Sequence, residues 1–283
     1  MDHLPLAHLP VKSGGQYNVP MTTPHLSARA GRALLALLGI AALAAGARAQ
    51  TPNTLTAAER AAGWRLLFDG RSLAGWRGLG YDSVPSAHWQ VVDGAIVKTP
   101  TARVRRQADG QPAAGGDLMS VESFRDFELA FEWRVTPGAN SGVKYNVSEE
   151  LSLKHASNHA ALGFEYQVLD DDLHPDNKIA SHRAAGLYDI LAPGAGKRLR
   201  PVGEWNSGRI VLRGNHGEHW LNGVKVVEFD LGTPPLDSLL AASKYRPIPG
   251  FADRRRGHIV LQDHGDEVYF RSIKIRDLSG AAR

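Results

Sequence analysis

The chain has 283 residues, no cysteine, 22% charged residues and a formal charge of +4. Without cysteine a small disulfide-stapled scaffold is excluded, and the length suffices for one sizeable hydrophobic core. Lys12, Arg29, Arg32 and Arg48 against Asp2 account for three of the four excess charges within the first 49 residues, so the remainder is near neutral. A nucleic-acid partner is not expected on that balance.

From Met21 the sequence reads as an export leader: basic Arg29 and Arg32, an apolar run Ala33–Ala45, then Ala47-Arg48-Ala49 before Gln50. The order matches a secretory signal peptide at about 21–49, and the run is too short for a membrane span. Residues 1–20 read as an over-called start, and the mature protein is expected in the periplasm or outside the cell, with no membrane span. Residues 50–62 read as a linker with room for one helical turn, and 63–279 as a single domain. Asn146-Val147-Ser148 fits a glycosylation sequon, expected to be idle behind a bacterial-style leader.

The elements that follow are short and alternating. WQVVDGAIVK carries Asp93-Gly94 between two β-branched runs, which predicts a hairpin. DFELAFEWRV alternates from Phe127 to Val135, and SGVKYNV, GFEYQVL, GRIVLRG, EHWLNGVKVVEF, GHIVLQD and YFRSIKIRDL continue in that style. A second hairpin turns at Asn222-Gly223. About ten brief strands with almost no helical periodicity predict an all-β fold, two antiparallel sheets packed as a sandwich or jelly roll. The long irregular stretches at 100–116, 148–162, 171–204 and 231–256 are expected to form functional rims or disordered segments.

Three strands pair an apolar face with a polar one. In GFEYQVLD, Phe164, Tyr166 and Val168 alternate with Glu165 and Gln167; in FELAFEWR, Glu128, Glu132 and Arg134 oppose Phe127, Leu129, Phe131 and Trp133; in GHIVLQDHG, His258, Gln262 and His264 oppose Ile259 and Leu261. Polar faces rich in Glu, Gln, Arg and His suit sugar hydroxyls, which both donate and accept. A polar face in water is the simpler reading of any one strand. Tryptophans 76, 89, 205 and 220 could add stacking faces, whereas Trp133 has the parity of a core residue.

The blocks FDGRSLAGW, FELAFEWR, NSGVKYN, GFEYQVLDDD, GLYDI, GEWNSGRIVLRG, HWLNG and GHIVLQDHGDEVYFRSIKIRDL, in this order, resemble the 3-keto-disaccharide hydrolase domain family from about Gly63 to Leu278. The resemblance implies a concanavalin-like jelly roll, export, and action on glycosides whose C3 has been oxidised to a ketone by a separate sugar 3-oxidoreductase. The Arg254-Arg255-Arg256 run and the long 231–256 loop depart from the usual pattern.

A C3 ketone acidifies the C2 proton, so the glycosidic bond can break by elimination, and water then adds to the unsaturated sugar. Such chemistry calls for a base, a group holding the oxyanion, and an acid for the leaving oxygen. The base is expected to be Glu165 or His264. Gln167, Gln262, Asn140 and Arg134 are expected to orient hydroxyls, with Glu132 and Arg271 in the same substrate-binding set. Glu132 with Glu165 could be read as an ordinary glycosidase pair, and Glu165 as an ion-pair partner of Arg134 or Arg271. Tyr188 is a candidate oxyanion donor. Asp170, with Asp171 and Asp172, offers oxygen ligands for a divalent cation, or a solvated turn. His174 and His182 could complete a rim site. His155 and His159 have helical metal spacing without a supporting frame, and His216 and His219 read as surface or cross-strand residues. The rival reading is a non-catalytic, lectin-like carbohydrate-binding module on the same fold.

Overall fold

The structure is a computed structural model and describes residues 50–280 apart from 109–112 and 158. The predicted leader lies outside the described residues. Strands run in chain order as β1 (Arg65–Leu66), β2 (Trp76–Gly78), β3 (Trp89–Val92), β4 (Ala95–Lys98), β5 (Leu118–Phe124), β6 (Phe127–Val135) and β7 (Asn140–Val147). They continue with β8 (Phe164–Leu169), β9 (Asn206–Arg213), β10 (His216–Leu221), β11 (Val224–Asp230), β12 (Gly257–Leu261) and β13 (Val268–Asp277). Two antiparallel sheets result, one ordered β11-β10-β9-β6-β13-β4-β3 with β1 added to β13, the other β2-β5-β12-β7-β8. This is the two-layer jelly roll that the alternation predicts.

Both predicted hairpins form. Asp93 and Gly94 have φ of 50° and 73°, Asn222 and Gly223 of 48° and 84°. Positive φ at both central residues gives the turn twist that matches two paired strands, and Asn, Asp and Gly tolerate it. Register then follows the period of two: Phe127, Leu129, Phe131, Trp133 and Val135 of β6 point between the sheets, where they meet Tyr145, Phe164, Tyr166, Ile259 and Leu261. Full burial of such side chains contributes about 2 to 3 kcal/mol each. Alternation along β12 keeps Ile259 and Leu261 inward and sends Val260 to the opposite face, while its partners β5 and β7 shift register between His258 and Val260.

Helices are few. Ala57–Ala61 lies in the segment read as a linker and is closed by a reciprocal Thr56–Glu59 capping box. That segment is fastened to the sandwich, since Asn53 Nδ2 donates to Gly94 O (2.8 Å) and Ser272 N donates to Asn53 Oδ1 (2.7 Å). Two loops read as irregular carry helices, Glu149–His155 and Pro234–Ala242. Past the latter, Tyr245 stacks on Phe251 (4.0 Å), and Phe251 packs against Phe164 (5.2 Å), so the 231–256 excursion is anchored in the core.

Candidate active site

The site is built on the outer face of the five-stranded sheet. Strand pairing sets Lys144 opposite Glu165 and Gly142 opposite Gln167, while Gln262 N donates to Gly142 O (2.9 Å) just past β12. The segment Ala185–Tyr188 extends this sheet beyond β8: Ala185 N donates to Gln167 O (2.8 Å) and Tyr188 N to Glu165 O (3.0 Å). Leu187 is consequently buried, and Tyr188 faces the same side as Glu165. Of the expected residues, the structure therefore brings together Glu165, Gln167, Asn140, Gln262, Tyr188 and His264.

A chain of contacts links them. The backbone N–H of Asp176 donates to His174 Nδ1 (3.2 Å), which places that ring's proton on Nε2. His174 Nε2 and His264 Nε2 approach the Asn140 amide at 3.5 and 3.4 Å, and the amides of Asn140 and Gln167 meet at 3.3 Å. Turned so that its nitrogen meets acceptors, Gln167 donates to Glu165 Oε1 (3.0 Å) and Ser141 O (2.9 Å). Donor and acceptor accounting then turns the Asn140 amide as well, because its nitrogen otherwise meets the His174 Nε2–H and its oxygen the turned Gln167 oxygen; in that orientation His174 Nε2–H and His264 Nε2–H donate to Asn140 Oδ1, Asn140 to Gln167, and Gln167 to Glu165. The His264 lone pair is left on Nδ1, which lies 3.9 Å from Asp266 Oδ2.

Depth separates the two proton-transfer candidates. Glu165 is 3% exposed and Gln167 fully buried, whereas the His264 side chain is 46% exposed. Burial raises the Glu165 pKa, opposed by the Lys144 ammonium 4.0 Å away. Burial lowers that of His264, with Asp266 acting the other way. Burial also disfavours charge on Lys144, yet the carboxylates of Asp117 and Glu165 more than offset it and raise its pKa. Lys144 Nζ donates to Asp117 Oδ2 (3.2 Å) and Ala161 O (3.0 Å) beneath the floor. Gln262 Oε1 is enclosed and, among the described residues, has no hydrogen-bond partner.

Two loops roof this floor. His182 lies between Asp176 (2.8 Å) and Asp189 (2.9 Å) and stacks on Tyr188 at 4.2 Å. Tyr188 OH donates to Asp176 Oδ2 (3.0 Å), and burial first, then Asp176, pushes its pKa up. Lys244, from the 231–256 excursion, sets its ammonium 4.0 Å from the Tyr188 ring, and its pKa is lowered by burial.

Several expectations need correction. Glu132, Arg134 and Arg271 lie on β6 and β13 of the eight-stranded sheet, with side chains on its outer face, on the far side of the core from Glu165. Arg271 Nε pairs with Glu132 Oε2 (2.8 Å), and neither arginine pairs with Glu165. The matching polar faces belong to two sheets with opposite orientations, so sequence parity alone merged them. Nor does Asp170 face a ligand. It is 1% exposed, and its oxygens accept backbone N–H groups of Gly138 (2.6 Å), Asp172 (3.0 Å) and Leu173 (3.3 Å), closing the turn after β8. Asp171 pairs with Lys197 and caps Ala184 N. Of the two readings for His219 the structure gives the cross-strand one: fully buried between Ile210 of β9 and Val227 of β11, it contacts Tyr145 OH through Nε2 (2.9 Å), and its pKa falls to about 4. His155 ends a helix, while His159 contacts Leu79 O, so the two do not form a metal pair.

His174, His264 and Asp266 come close enough to share a cation. With His174 Nδ1 engaged by Asp176 N–H, however, its Nε2 presents a proton rather than a lone pair, and the groups hold one another through Asn140. Lys144, Lys244 and Gly142 were missed in the sequence. Lys144 and Gly142 share the parity of Asn140 in NSGVKYN and could have been found that way; Lys244 carries no such signal.

Residues 63–276 match the family model described as the 3-keto-alpha-glucoside-1,2-lyase-like domain. The chain belongs to that family. It is 35% identical over 235 residues to the 3-keto-disaccharide hydrolase of Bacteroides thetaiotaomicron, covering 76% of this chain and 79% of that protein. Two crystal structures of Parabacteroides distasonis proteins with provisional glycosyl hydrolase names are also similar. One is 29% identical (TM-score 0.68, covering 81% of this chain and 100% of that one), the other 26% (TM-score 0.56, 76% and 99%). A carbohydrate hydrolase is the class these relatives support.

Proposed function

We propose that this protein cleaves 3-keto glycosides, 3-keto disaccharides among them, by C2 proton abstraction, β-elimination and hydration. The observation that carries the reading is the string from His264 through Asn140 and Gln167 to Glu165. It joins an exposed imidazole with a lowered pKa to a buried carboxyl with a raised one, beside the partnerless Gln262 oxygen.

In this reading the keto sugar lies over Gly142, with Gln262 Oε1 accepting one of its hydroxyls. His264 Nδ1 takes the C2 proton, and the resulting imidazolium faces Asp266. The C–H electron pair forms an enediolate across C2 and C3; as the C3 carbonyl re-forms, that pair becomes a C1=C2 double bond, the C1–O bond breaks, and the leaving oxygen takes a proton. Lys244, at the roof beside Tyr188, lowers the energy of the enediolate oxygen. Glu165, whose pKa burial raises against the pull of the Lys144 ammonium, serves the leaving oxygen and the later hydration. Water adds at C1 and a proton returns to C2, so one water is consumed and every group regains its starting state. The ketone must come from a sugar 3-oxidoreductase, and the leader at 21–49 would place the reaction outside the cytoplasm.

The test is incubation with a 3-keto-glucoside bearing a chromogenic aglycone, beside the unoxidised glucoside. Release from the ketone alone, with C2 hydrogen exchange in deuterated water, is expected. Tight retention of the ketone without release would instead make the protein a lectin.

A further inference from the structure

The outer face of the eight-stranded sheet carries a second cluster, on the opposite side of the molecule from Glu165. Its centre is Trp205, just before β9. The Arg134 guanidinium stacks 5.0 Å from the Trp205 ring and 4.1 Å from the Tyr269 ring, and the Arg271 guanidinium lies 4.0 Å from Trp205. Two cations thus share one indole.

The carboxylates of this face are already engaged. Glu128 binds Arg209 and Arg276, while Glu132 binds Arg271 and accepts from Ser272 Oγ (3.0 Å). Glu267, just before β13, accepts from Tyr269 OH and pairs with Arg103. Among the described residues Arg134 has no ion pair and no side-chain hydrogen bond. It is half-buried, and with two rings against its guanidinium the edge N–H groups remain for a partner. A guanidinium held flat by aromatic rings presents a fixed fork that matches a planar anion bidentately. A neighbouring arginine whose single carboxylate is shared with a serine adds to the local positive potential.

We propose that Arg134, with Arg271 and Trp205, forms a second binding site for the carboxylate of an acidic sugar chain, through which the protein docks on uronic-acid polysaccharide. Trp205 supplies an apolar edge for the sugar ring, and the Arg134 fork takes its carboxylate. The site opens away from the floor over Gly142, so docking and cleavage do not compete for space. This inference does not rest on the elimination mechanism.

The experiment is affinity electrophoresis of the folded protein through gels containing polygalacturonate, a sulfated glycan or neutral dextran. Retardation by polygalacturonate and none by dextran is expected. Arg134→Leu should abolish it, Arg134→Lys should weaken it at least several-fold because a point charge replaces the fork, and Glu132→Gln should strengthen it by freeing Arg271. Circular dichroism confirms that each variant is folded, and release of aglycone from a small 3-keto-glucoside should be unchanged in Arg134→Leu. No retardation of the parent protein by polygalacturonate, equal retardation of the folded Arg134→Leu variant, or retardation by the sulfated chain alone would overturn the proposal.

Discussion

The Glu165 carboxylate lies across Gly142, one step diagonally along the β7–β8 pairing, and fills the space that any side chain at 142 would need. Gly142→Ala is therefore expected to push Glu165 Oε1 away from Gln167 and break the amide string. Overpacking of this kind costs about 1 to 3 kcal/mol. Turnover of a 3-keto-glucoside should fall at least about tenfold while far-UV circular dichroism stays unchanged, since 1 Å of misplacement suffices for such a loss. Parent-like kinetics in a folded Gly142→Ala would show that Glu165 does not work from this position.

Replacement of the two proton-transfer groups should separate their roles. His264→Asn and Glu165→Gln are each expected to lower kcat/KM by about 10²- to 10⁴-fold, the usual worth of a positioned acid or base. The C2 hydrogen exchange should vanish in His264→Asn and persist in Glu165→Gln. Because burial depresses the His264 pKa, the acidic limb of the parent pH–rate profile should lie below 6.5 and be absent from His264→Asn.

Lys144 neutralises two carboxylates beneath the floor, Asp117 at 3.2 Å and Glu165 at 4.0 Å. Lys144→Met would leave both without their cation in a buried setting, at a cost of about 3 to 5 kcal/mol. Urea titration should show that loss. In the double variant Lys144→Met/Asp117→Asn most of it should be recovered; no recovery would mean that packing of the lysine stem, not its charge, is what matters.

Away from the site, Arg77 grips Glu149 with two bonds of 2.6 and 2.7 Å, and Gly80 N adds a third. The guanidinium, above all, takes the Glu149 pKa from an ordinary 4.5 to about 2. A carboxyl with a depressed folded-state pKa stabilises the fold above pH 4.5, and that stabilisation drains away as pH falls toward about 2. Discounted for partial exposure, it amounts to about 2 kcal/mol. Glu149→Gln should accordingly lower Tm at pH 7 and flatten the acid-side decline; an unchanged decline would place the acid sensitivity elsewhere.

The alternation of FELAFEWRV, GFEYQVLD and GHIVLQD determined by itself which residues face the core, because a strand has a period of two and an apolar face must be buried. Asp93-Gly94 and Asn222-Gly223 likewise marked their hairpins through local backbone sterics. Sequence order could not tell to which of two sheets a polar face belongs. Glu132 and Glu165 each hold the polar phase of similar alternating strands, yet the sandwich directs one outward on each side, so only one of them can share a floor with His264. Lys244 and Tyr188 enter by a different route: chain excursions far apart in sequence fold back over β8, held by Phe251 on Phe164 and by Tyr188 N on Glu165 O. Those are long-range contacts, and their energy depends on what the three-dimensional neighbours are, which no local pattern encodes.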